Sequence, residues 1–342
     1  MNPTVYIDPN HRIAYSSFYI KGLIDVFGEK NIKFSSKHFY QLDGKKESHS
    51  FDHYFAFVVV HNNHTLKCIV DYRDKRTFKS SAYKWCDIYA KINYKKEITP
   101  VEYQSKTVSI PPSFGIHVYN KTKATLLGLS NLFKSFFRLS VPPKLFFTQY
   151  IGQYHRPKIE QYAVSPENEK DNYCFFISTL WDHENCITGT NKWRAQYIRE
   201  CRKHANLTFE GGLFASTSNT EFQDYKDVII NQHYDSSEYL EKTKKSLFVF
   251  NTPAVHECHG WKLGEFLAMG KAIISTPISN DLPTELKHGE NIHIINSEKE
   301  LAEAINLLLN DKEYRLKLER GAKEYYEKYA SPSVVINYIL RS

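Results

Sequence analysis

The stretch HECHGWKLGEFLAMG, residues 256–270, brings two histidines, a cysteine and two glutamates into ten positions. Residues of these types can hold a metal ion or bind a ligand through carboxylates. His256 and His259 are three residues apart, whereas a helical zinc site spaces its histidines four apart on one face. Both precede Gly260, where we expect a helix to begin, so we place them in a loop and expect no metal site.

The two glutamates suit a different ligand. If a helix begins at Gly260 or Trp261, its first N–H groups and the positive end of its dipole can bind a diphosphate. Glu265 then lies about 7 Å along the helix axis, at about 1.5 Å per residue, while Glu257 stays in the loop. Carboxylates on both sides of a diphosphate can accept hydrogen bonds from sugar hydroxyls. Gly260 would allow a close backbone approach, and Lys262 could balance the phosphate charge.

Composition limits the class of protein. The chain has 342 residues, which is long enough for two domains with a cleft between them. Hydrophobic residues make up 42% and charged residues 24%, as in globular proteins, and the net charge of +7 is compatible with an anionic ligand or membrane surface. Six cysteines without a CxxC pair favour reduced thiols and a cytoplasmic protein. The N-terminal sequence lacks a signal-peptide pattern, and no apolar run is long enough to span a bilayer.

The first half of the chain alternates short apolar runs with longer mixed segments. We predict buried parallel strands at 4–8, 54–60, 66–70, 86–92 and 107–110. The carboxyl ends of such strands share the edge of the sheet where ligands bind. His61 and His64 follow the run 54–60 and are therefore candidates for contacts with a ligand. Weaker candidates at similar strand ends are Asp74, Arg73, His11 and Arg12.

The second half follows a polar segment, 152–171, that we interpret as a linker. Beyond it we predict strands at 173–179, 207–214, 247–250, 271–276 and 292–295, with helices at 193–204, 238–245 and 261–269 between them. Alternating strands and helices predict a doubly wound, Rossmann-like sheet. We therefore divide the chain into domains 1–155 and 156–328, with a segment 329–342 that packs back on the first domain.

Residues 251–295, NTPAVHECHGWKLGEFLAMGKAIISTPISNDLPTELKHGENIHII, resemble the region of the E-x7-E motif in GT-B glycosyltransferases, especially the retaining family-4-like group. They follow that group's order of strand, proline, glutamate, glycine, helix, strand and acidic helix start. The resemblance implies an α/β fold of the GT-B class, with two Rossmann-like domains facing a central cleft. Domain 1–155 would then bind the acceptor and domain 156–328 the nucleotide sugar.

The resemblance also implies roles for individual residues. Glu257 would contact the donor sugar, Glu265 the ribose, and the amides near Gly260 and Trp261 the diphosphate. Family members usually carry an arginine and a lysine for the phosphates soon after the first strand of the second domain. In this sequence the corresponding candidates come after a longer loop, and they are Lys192 and Arg194.

The function implied is transfer of a sugar from a nucleotide diphosphate sugar to a glycan or lipid-linked acceptor, with retention and without a metal or cofactor. Glu257, His61 and His64 are the catalytic candidates, and an inverting reaction would need a general base among His61, His64 and Asp74. The alternative is a nucleotide-sugar epimerase on a GT-B fold. A non-catalytic lipid or carbohydrate binder is a further possibility. A dinucleotide dehydrogenase is disfavoured because no G-x-G-x-x-G follows a strand, and nucleic acid is not an expected partner.

The segment 126–147, LLGLSNLFKSFFRLSVPPKLFF, interleaves Lys134, Arg138 and Lys144 with aromatic residues. Apolar residues recur with helical spacing within 122–139, at Leu126, Leu129, Phe133 and Phe136. Such a stripe is most often the core face of a helix, and we expect it to be buried. The alternative is a basic, aromatic surface for anionic lipid, which would suit a lipid-linked acceptor and a location at the inner face of a membrane.

Overall fold

The computed structural model describes residues 3–42, 54–139, 141–164, 172–215 and 220–342, so part of the expected linker, 165–171, lies outside the described residues. The chain divides into two compact units. Unit 1 comprises Met1–Ile159, Asp281–Pro283 and Tyr329–Ser342, and unit 2 comprises Glu160–Asn280 and Thr284–Lys328. Each unit combines a largely parallel sheet with helices. The expected fold class, two Rossmann-like α/β domains, is confirmed.

Unit 1 contains a sheet in the order β2-β1-β3-β4-β5-β6. Its strands are β1 (Thr4–Ile7), β2 (Ile32–Phe34), β3 (Phe55–His61), β4 (His64–Asp71), β5 (Ile88–Lys91) and β6 (Thr107–Ser109). The helices are α1 (Ile13–Phe27), α2 (Ser80–Trp85), α3 (Lys121–Ser135) and α4 (Pro143–Gln153). The sequence did not predict β2, because this edge strand has three residues and none of them is buried.

Strand β3 runs against the direction of its neighbours. It pairs antiparallel with both β1 and β4, whereas β1, β2, β4, β5 and β6 all run the same way. Asn62 and Asn63 join β3 directly to β4, with left-handed φ values of 46° and 68° that asparagine tolerates. A two-residue turn can connect only antiparallel strands. The prediction of a parallel strand at 54–60 is therefore wrong in its direction.

Helix α3 presents its apolar stripe to solvent, so the expectation of a core face is wrong. Its buried residues are small or polar: Ala124, Gly128, Asn131 and Ser135. A Cβ on Gly128 would lie 3.0 Å from the Cβ of Tyr150 in α4, so small residues let α4 pack closely. At about 100° per residue, the predicted stripe lies on the opposite side of the helix. The close contact with α4 therefore decides which face is buried.

Unit 2 is built from parallel strands and α-helices. The strands are β7 (Tyr173–Leu180), β8 (Thr208–Ala215), β9 (Phe248–Asn251), β10 (Ala272–Ser275) and β11 (His293–Ile294). Ladders join β7 to β8 and β9 to β10 to β11, all in parallel. The helices are α5 (Asn191–Lys203), α6 (Ser236–Lys245), α7 (Trp261–Met269), α8 (Glu298–Asn310) and α9 (Lys312–Tyr325). The predicted alternation of strands and helices is confirmed.

The core of unit 2 joins its two sheets. The amide of Leu247, just before β9, donates to the carbonyl of Tyr173 in β7 at 2.8 Å. Tyr197 of α5 stacks on Phe250 of β9, with ring centroids 4.5 Å apart. These contacts join β9 to the first residue of β7 and to α5, which carries Arg194.

The last helix, α10 (Pro332–Arg341), belongs to unit 1 and packs on α1. Val335, Ile336 and Ile339 form its buried face. Gly22 of α1 lies against the carbonyl of Pro332, where a Cβ would come within 2.3 Å of the oxygen. Only glycine fits there without moving one helix. None of the helices in the described ranges has the length and apolar character that a bilayer crossing requires.

We predict that Gly22→Ala lowers the free energy of unfolding by about 1–3 kcal/mol, the usual cost of overpacking a well-packed contact. Urea denaturation followed by circular dichroism measures the change. Gly152→Ala in α4 is the matched control, because no atom lies within 4 Å of its Cβ position. It should be neutral or slightly stabilising, since alanine favours a helix. Equal stability of the two variants would contradict the packing of α10 on α1.

Candidate functional site

The site candidates of unit 2 lie around the N-terminus of α7, which follows β9 through the loop 252–260. In parallel sheets, ligands bind outside the carboxyl ends of the strands. Polar residues end β9 and β10, where Asn251 donates to the hydroxyl of Ser275 at 2.9 Å. Gly260 is the N-cap of α7 and supplies no side chain to cap its first N–H groups. The helix therefore begins as predicted, with its positive end at this edge of the sheet.

The loop before α7 is strained. His256 and Glu257 have φ values of 57° and 56°, in the left-handed region that residues with a Cβ avoid at about 1–2 kcal/mol each. Asn185 holds the first part of the loop. Its side chain donates to the carbonyl of Ala254 at 2.9 Å and accepts from the amide of His256 at 3.1 Å. Backbone strain of this kind is retained where the surroundings enforce it, as at many ligand sites.

Glu257 combines a fixed backbone with an exposed side chain. Its carbonyl accepts from the hydroxyl of Ser279 at 2.6 Å and from the side-chain amide of Asn280 at 2.9 Å. These two residues come from the loop after β10. The loop after β10 therefore holds the loop before α7 in place, and the carboxylate of Glu257 lies at the surface of unit 2.

Glu265 is buried in the second turn of α7. Its carboxylate accepts from the hydroxyl of Tyr239 in α6 at 2.9 Å and from that of Tyr162 at 3.4 Å. Burial and the adjacent carboxylate raise the pKa of Tyr239 well above its ordinary value, so it stays a hydrogen-bond donor. No sequence pattern pointed to either tyrosine, because only packing brings them to this helix.

Two cations lie close to the start of α7. Lys262 reaches back to the carbonyl of Ile177 in β7, and its ammonium lies 5.0 Å from the ring centroid of Phe176. Burial and the positive charge of Arg194 lower the pKa of Lys262 to about 7, although Glu265 opposes the shift. An anion bound beside Lys262 would favour its charged form and offset the charge of Arg194.

Arg194 is buried at the carboxyl end of β7. Its Nη1 donates to the carbonyl of Thr179 at 2.8 Å and its Nε to the hydroxyl of Thr252 at 3.1 Å. Burial lowers its pKa to about 10. The guanidinium is therefore oriented by the ends of β7 and β9 and remains charged at neutral pH.

Lys192 does not join this group. It is exposed and pairs with Glu298 of α8 at 2.8 Å. Lys192 and Arg194 are two residues apart on α5, and side chains with this spacing point to different sides of a helix. The structure thus brings Arg194 together with Lys262, and not with Lys192.

The two histidines of the loop have other contacts. The ring of His256 packs against His183 at 4.2 Å between centroids, and Nε2 of His259 accepts from the amide of Asn280 at 3.3 Å. Within the described ranges, no group of three or more histidines, cysteines, aspartates or glutamates is placed to hold a metal ion.

The catalytic candidates of unit 1 lie at the wrong edge of their sheet. His61 ends β3 and His64 begins β4, and both are exposed. Because β3 runs against the other strands, its C-terminal end lies where those strands begin. Ligands of parallel sheets bind at the opposite edge, so the reason for choosing these histidines fails.

The other edge of the unit 1 sheet holds a buried charge cluster. Asp71 at the end of β4 pairs with Arg73 at 2.7 Å and with Lys91 at 2.8 Å. Burial opposes ionisation of this carboxyl group, but Lys91 and Arg73 hold its pKa well below the ordinary value. Arg73 thus has a structural partner. His11 also has structural contacts, at 2.8 Å to the carbonyl of Asp8 and at 3.0 Å to the hydroxyl of Tyr150.

Comparisons with known proteins point to one family for part of the chain. Residues 216–325, under half of the chain, match the family model described as glycosyl transferases group 1. This range includes Glu257, Lys262 and Glu265. No curated protein matches the sequence significantly.

Several solved structures are similar at low identity. The C-terminal domain of the glycosyl transferase group 1 family protein LpcC from Francisella tularensis has 16% identity and a TM-score of 0.38, covering 50% of this chain and 96% of that domain. TarM has 12% identity and a TM-score of 0.46, with 79% of this chain and 48% of TarM covered, so the chain spans about half its length. HepE from Anabaena, in complex with UDP, has 14% identity and a TM-score of 0.41. The similarity covers 77% of this chain and 73% of HepE.

We predict that one lysine titrates with a pKa of about 7, and that this signal is absent from Lys262→Met. Carbon NMR of lysines labelled at Cε measures the titration. An unfolded lysine has a pKa of about 10.4, so the folded chain binds fewer protons between these values and gains stability as pH rises. The stability of the parent relative to Lys262→Met should therefore increase from about pH 7 to about pH 10. Titration of every lysine above pH 9 would contradict the burial of Lys262.

Proposed function

We propose that the chain is a glycosyltransferase that moves a sugar from a nucleotide diphosphate sugar to an acceptor, either a glycan or a lipid-linked saccharide. The match of residues 216–325 to glycosyl transferases group 1 supports sugar transfer. The observation that carries the donor assignment is the burial of two basic side chains, Arg194 and Lys262, near the N-terminus of α7. No observation favours the epimerase alternative.

In this proposal, Arg194, Lys262 and the first amides of α7, including that of Trp261, bind the diphosphate. When the bond to the sugar breaks, the leaving diphosphate gains negative charge, and these groups stabilise it more strongly than they stabilise the intact donor. An anion beside Lys262 also raises the pKa of its ammonium group and keeps it protonated. The proposed charge compensation thus comes from the chain itself, and chelators should leave turnover unchanged.

Glu265 is proposed to bind the ribose. Each carboxylate oxygen can accept two hydrogen bonds, and the bond from Tyr162 is long at 3.4 Å. A ribose hydroxyl can therefore be added beside Tyr239 or can replace Tyr162. The buried position of Glu265 makes a lost partner costly, which favours a ligand that supplies a donor.

Glu257 is proposed to contact the donor sugar. The support is its exposed carboxylate on a strained loop that two asparagines hold in place, Asn185 and Asn280. The resemblance to the retaining group extends the proposal to retention, with departure and attack on the same face of the sugar. Such a reaction does not require a carboxylate nucleophile, so Glu257 would orient the sugar.

We predict that UDP, GDP or ADP, and the matching sugar, raise the melting temperature of the parent, and that Gly260→Ala weakens this binding roughly tenfold or more. Gly260 has an ordinary φ of −75°, and the nearest atom to its Cβ position is 3.9 Å away. The fold therefore accepts alanine, whereas a diphosphate against the first amides would meet the methyl group.

Gly189→Ala in the same unit is the control for this experiment, since nothing lies within 4 Å of its Cβ position. It should bind nucleotides as the parent does. If no nucleotide diphosphate shifts the melting temperature of the parent, or if Gly260→Ala binds equally well, the proposed donor site is wrong.

We predict that Glu257→Gly raises the free energy of unfolding by about 1 kcal/mol, because glycine relieves the left-handed strain at this position. Its turnover should nevertheless fall roughly tenfold or more, since the sugar loses an orienting carboxylate. Glu257→Gln keeps the strain and should lose turnover without gaining stability.

Nucleotide release with and without acceptor measures turnover, and urea denaturation measures stability. Unchanged turnover in both variants would remove Glu257 from the site. Isomerised sugar formed without nucleotide release would support the epimerase instead.

A further inference from the structure

The outward face of α3 and the turn after it expose five large apolar side chains, which we call the α3 surface. Their exposed fractions are 63% for Leu126, 51% for Leu129, 86% for Phe133, 56% for Phe136 and 80% for Phe137. The packed face of the helix lies on the other side, against α4. These side chains therefore contribute little to the core of unit 1.

The extent of the α3 surface sets it apart from scattered apolar residues. At about 200 Å² for a whole aromatic side chain, the three phenylalanines expose on the order of 400 Å². The two leucines extend this area further. The largest apolar patch of a typical soluble monomer is about 300–600 Å² and is often functional. An aromatic patch of this size on one helix thus indicates an interaction surface.

Charge identifies the kind of partner. Residues 103–159 contain no aspartate or glutamate, and they contain eight basic residues: Lys106, Lys121, Lys123, Lys134, Arg138, Lys144, Arg156 and Lys158. Lys121, Lys134 and Lys144 are exposed on α3 and α4. A partner that covers the α3 surface must therefore accept a high density of positive charge.

The adjoining edge of the sheet adds further lysines. Lys134 donates to the carbonyl of Phe34 at 3.0 Å, and its own carbonyl accepts from the hydroxyl of Ser36 at 3.1 Å. Lys33 and Lys37 flank this contact and are exposed. Exposed lysines thus lie on α3 itself, on the neighbouring helix α4 and on the segment around β2 that contacts Lys134.

Two acidic residues in the described part of unit 1, Glu29 and Asp8, are already paired with basic side chains of the segment that follows Tyr103. Glu29 forms an ion pair with Lys123, and the buried Asp8 forms a bidentate pair with Arg138 at 3.0 and 3.1 Å. Within the described ranges, these pairs do not involve the exposed lysines Lys33, Lys37, Lys121, Lys134 and Lys144.

We propose that the α3 surface docks on an anionic lipid bilayer. Phenylalanine side chains enter the boundary between headgroups and acyl chains, while the exposed lysines contact anionic headgroups. A second copy of the chain is a poor occupant, because it would bring two basic surfaces together. Lipid binding is measured without turnover, so the proposal stands or falls separately from glycosyl transfer.

The test is cosedimentation of the full chain with vesicles. The parent should pellet with vesicles that contain phosphatidylglycerol, much less with pure phosphatidylcholine, and less at high salt. Phe133→Ser with Phe137→Ser should weaken partition into anionic vesicles roughly tenfold or more, since two apolar anchors are lost. Lys121→Glu with Lys144→Glu should weaken it by a similar factor, as each basic residue adds to the attraction.

The matched control is Ile98→Ser with Val101→Ser. These residues are 59% and 81% exposed in unit 1, beside β6 at the other edge of the sheet, and should not affect vesicle binding. Melting temperatures of all variants should equal that of the parent, because the substituted side chains are exposed. Failure of the parent to pellet with anionic vesicles, or full binding by the phenylalanine variant, would overturn the proposal. A parent dimer that the same variant dissociates would overturn it too.

Discussion

The constraint on which the candidate site depends is the burial of two basic side chains, Arg194 and Lys262, near the positive end of α7. Thr179 and Thr252 orient the guanidinium, and a carbonyl of β7 holds the ammonium. Burial, and secondarily the charge of Arg194, disfavours the protonated ammonium of Lys262, and the pKa of Lys262 is lowered accordingly. An anion at this position would compensate both charges and the helix dipole at once. The proposed diphosphate site therefore follows from electrostatics as well as from the position of the helix.

The loop before α7 adds a second unfavourable contribution to the folding free energy, namely backbone strain. Two consecutive residues, His256 and Glu257, adopt left-handed conformations that asparagine or glycine would accept more easily. Side chains from two other loops, Asn185 and Asn280, hold them there. Backbone strain at Glu257 and the buried ammonium of Lys262 thus lie within one short stretch of sequence. Both would be easy to remove by substitution, and their presence together supports a ligand site more strongly than either does alone.

Unit 1 illustrates how packing can overturn a prediction made from the spacing of apolar residues. The apolar stripe of α3 has a spacing that usually indicates burial, yet the small residues Gly128 and Ala124 face the core. The reason is the close approach of Tyr150, which leaves no room for larger side chains. The same helix therefore packs closely on α4 through small residues and exposes large apolar side chains on its other face. The proposed membrane contact would give the exposed face a partner.

The sequence by itself determined the local structure of unit 2. Periodicity located its helices and strands, and Gly260 with the following apolar residues gave the start of α7. It also gave the spacing of Glu257 and Glu265, because these properties depend on neighbouring residues. Only the tertiary structure decided which cation joins Arg194, and which tyrosines, 26 and 103 positions away, contact Glu265. It likewise decided the buried face of α3, whereas the direction of β3 follows from a local feature, the two-residue turn at Asn62 and Asn63. Contacts between residues distant in sequence leave no periodic signal, so they could not be read from the chain.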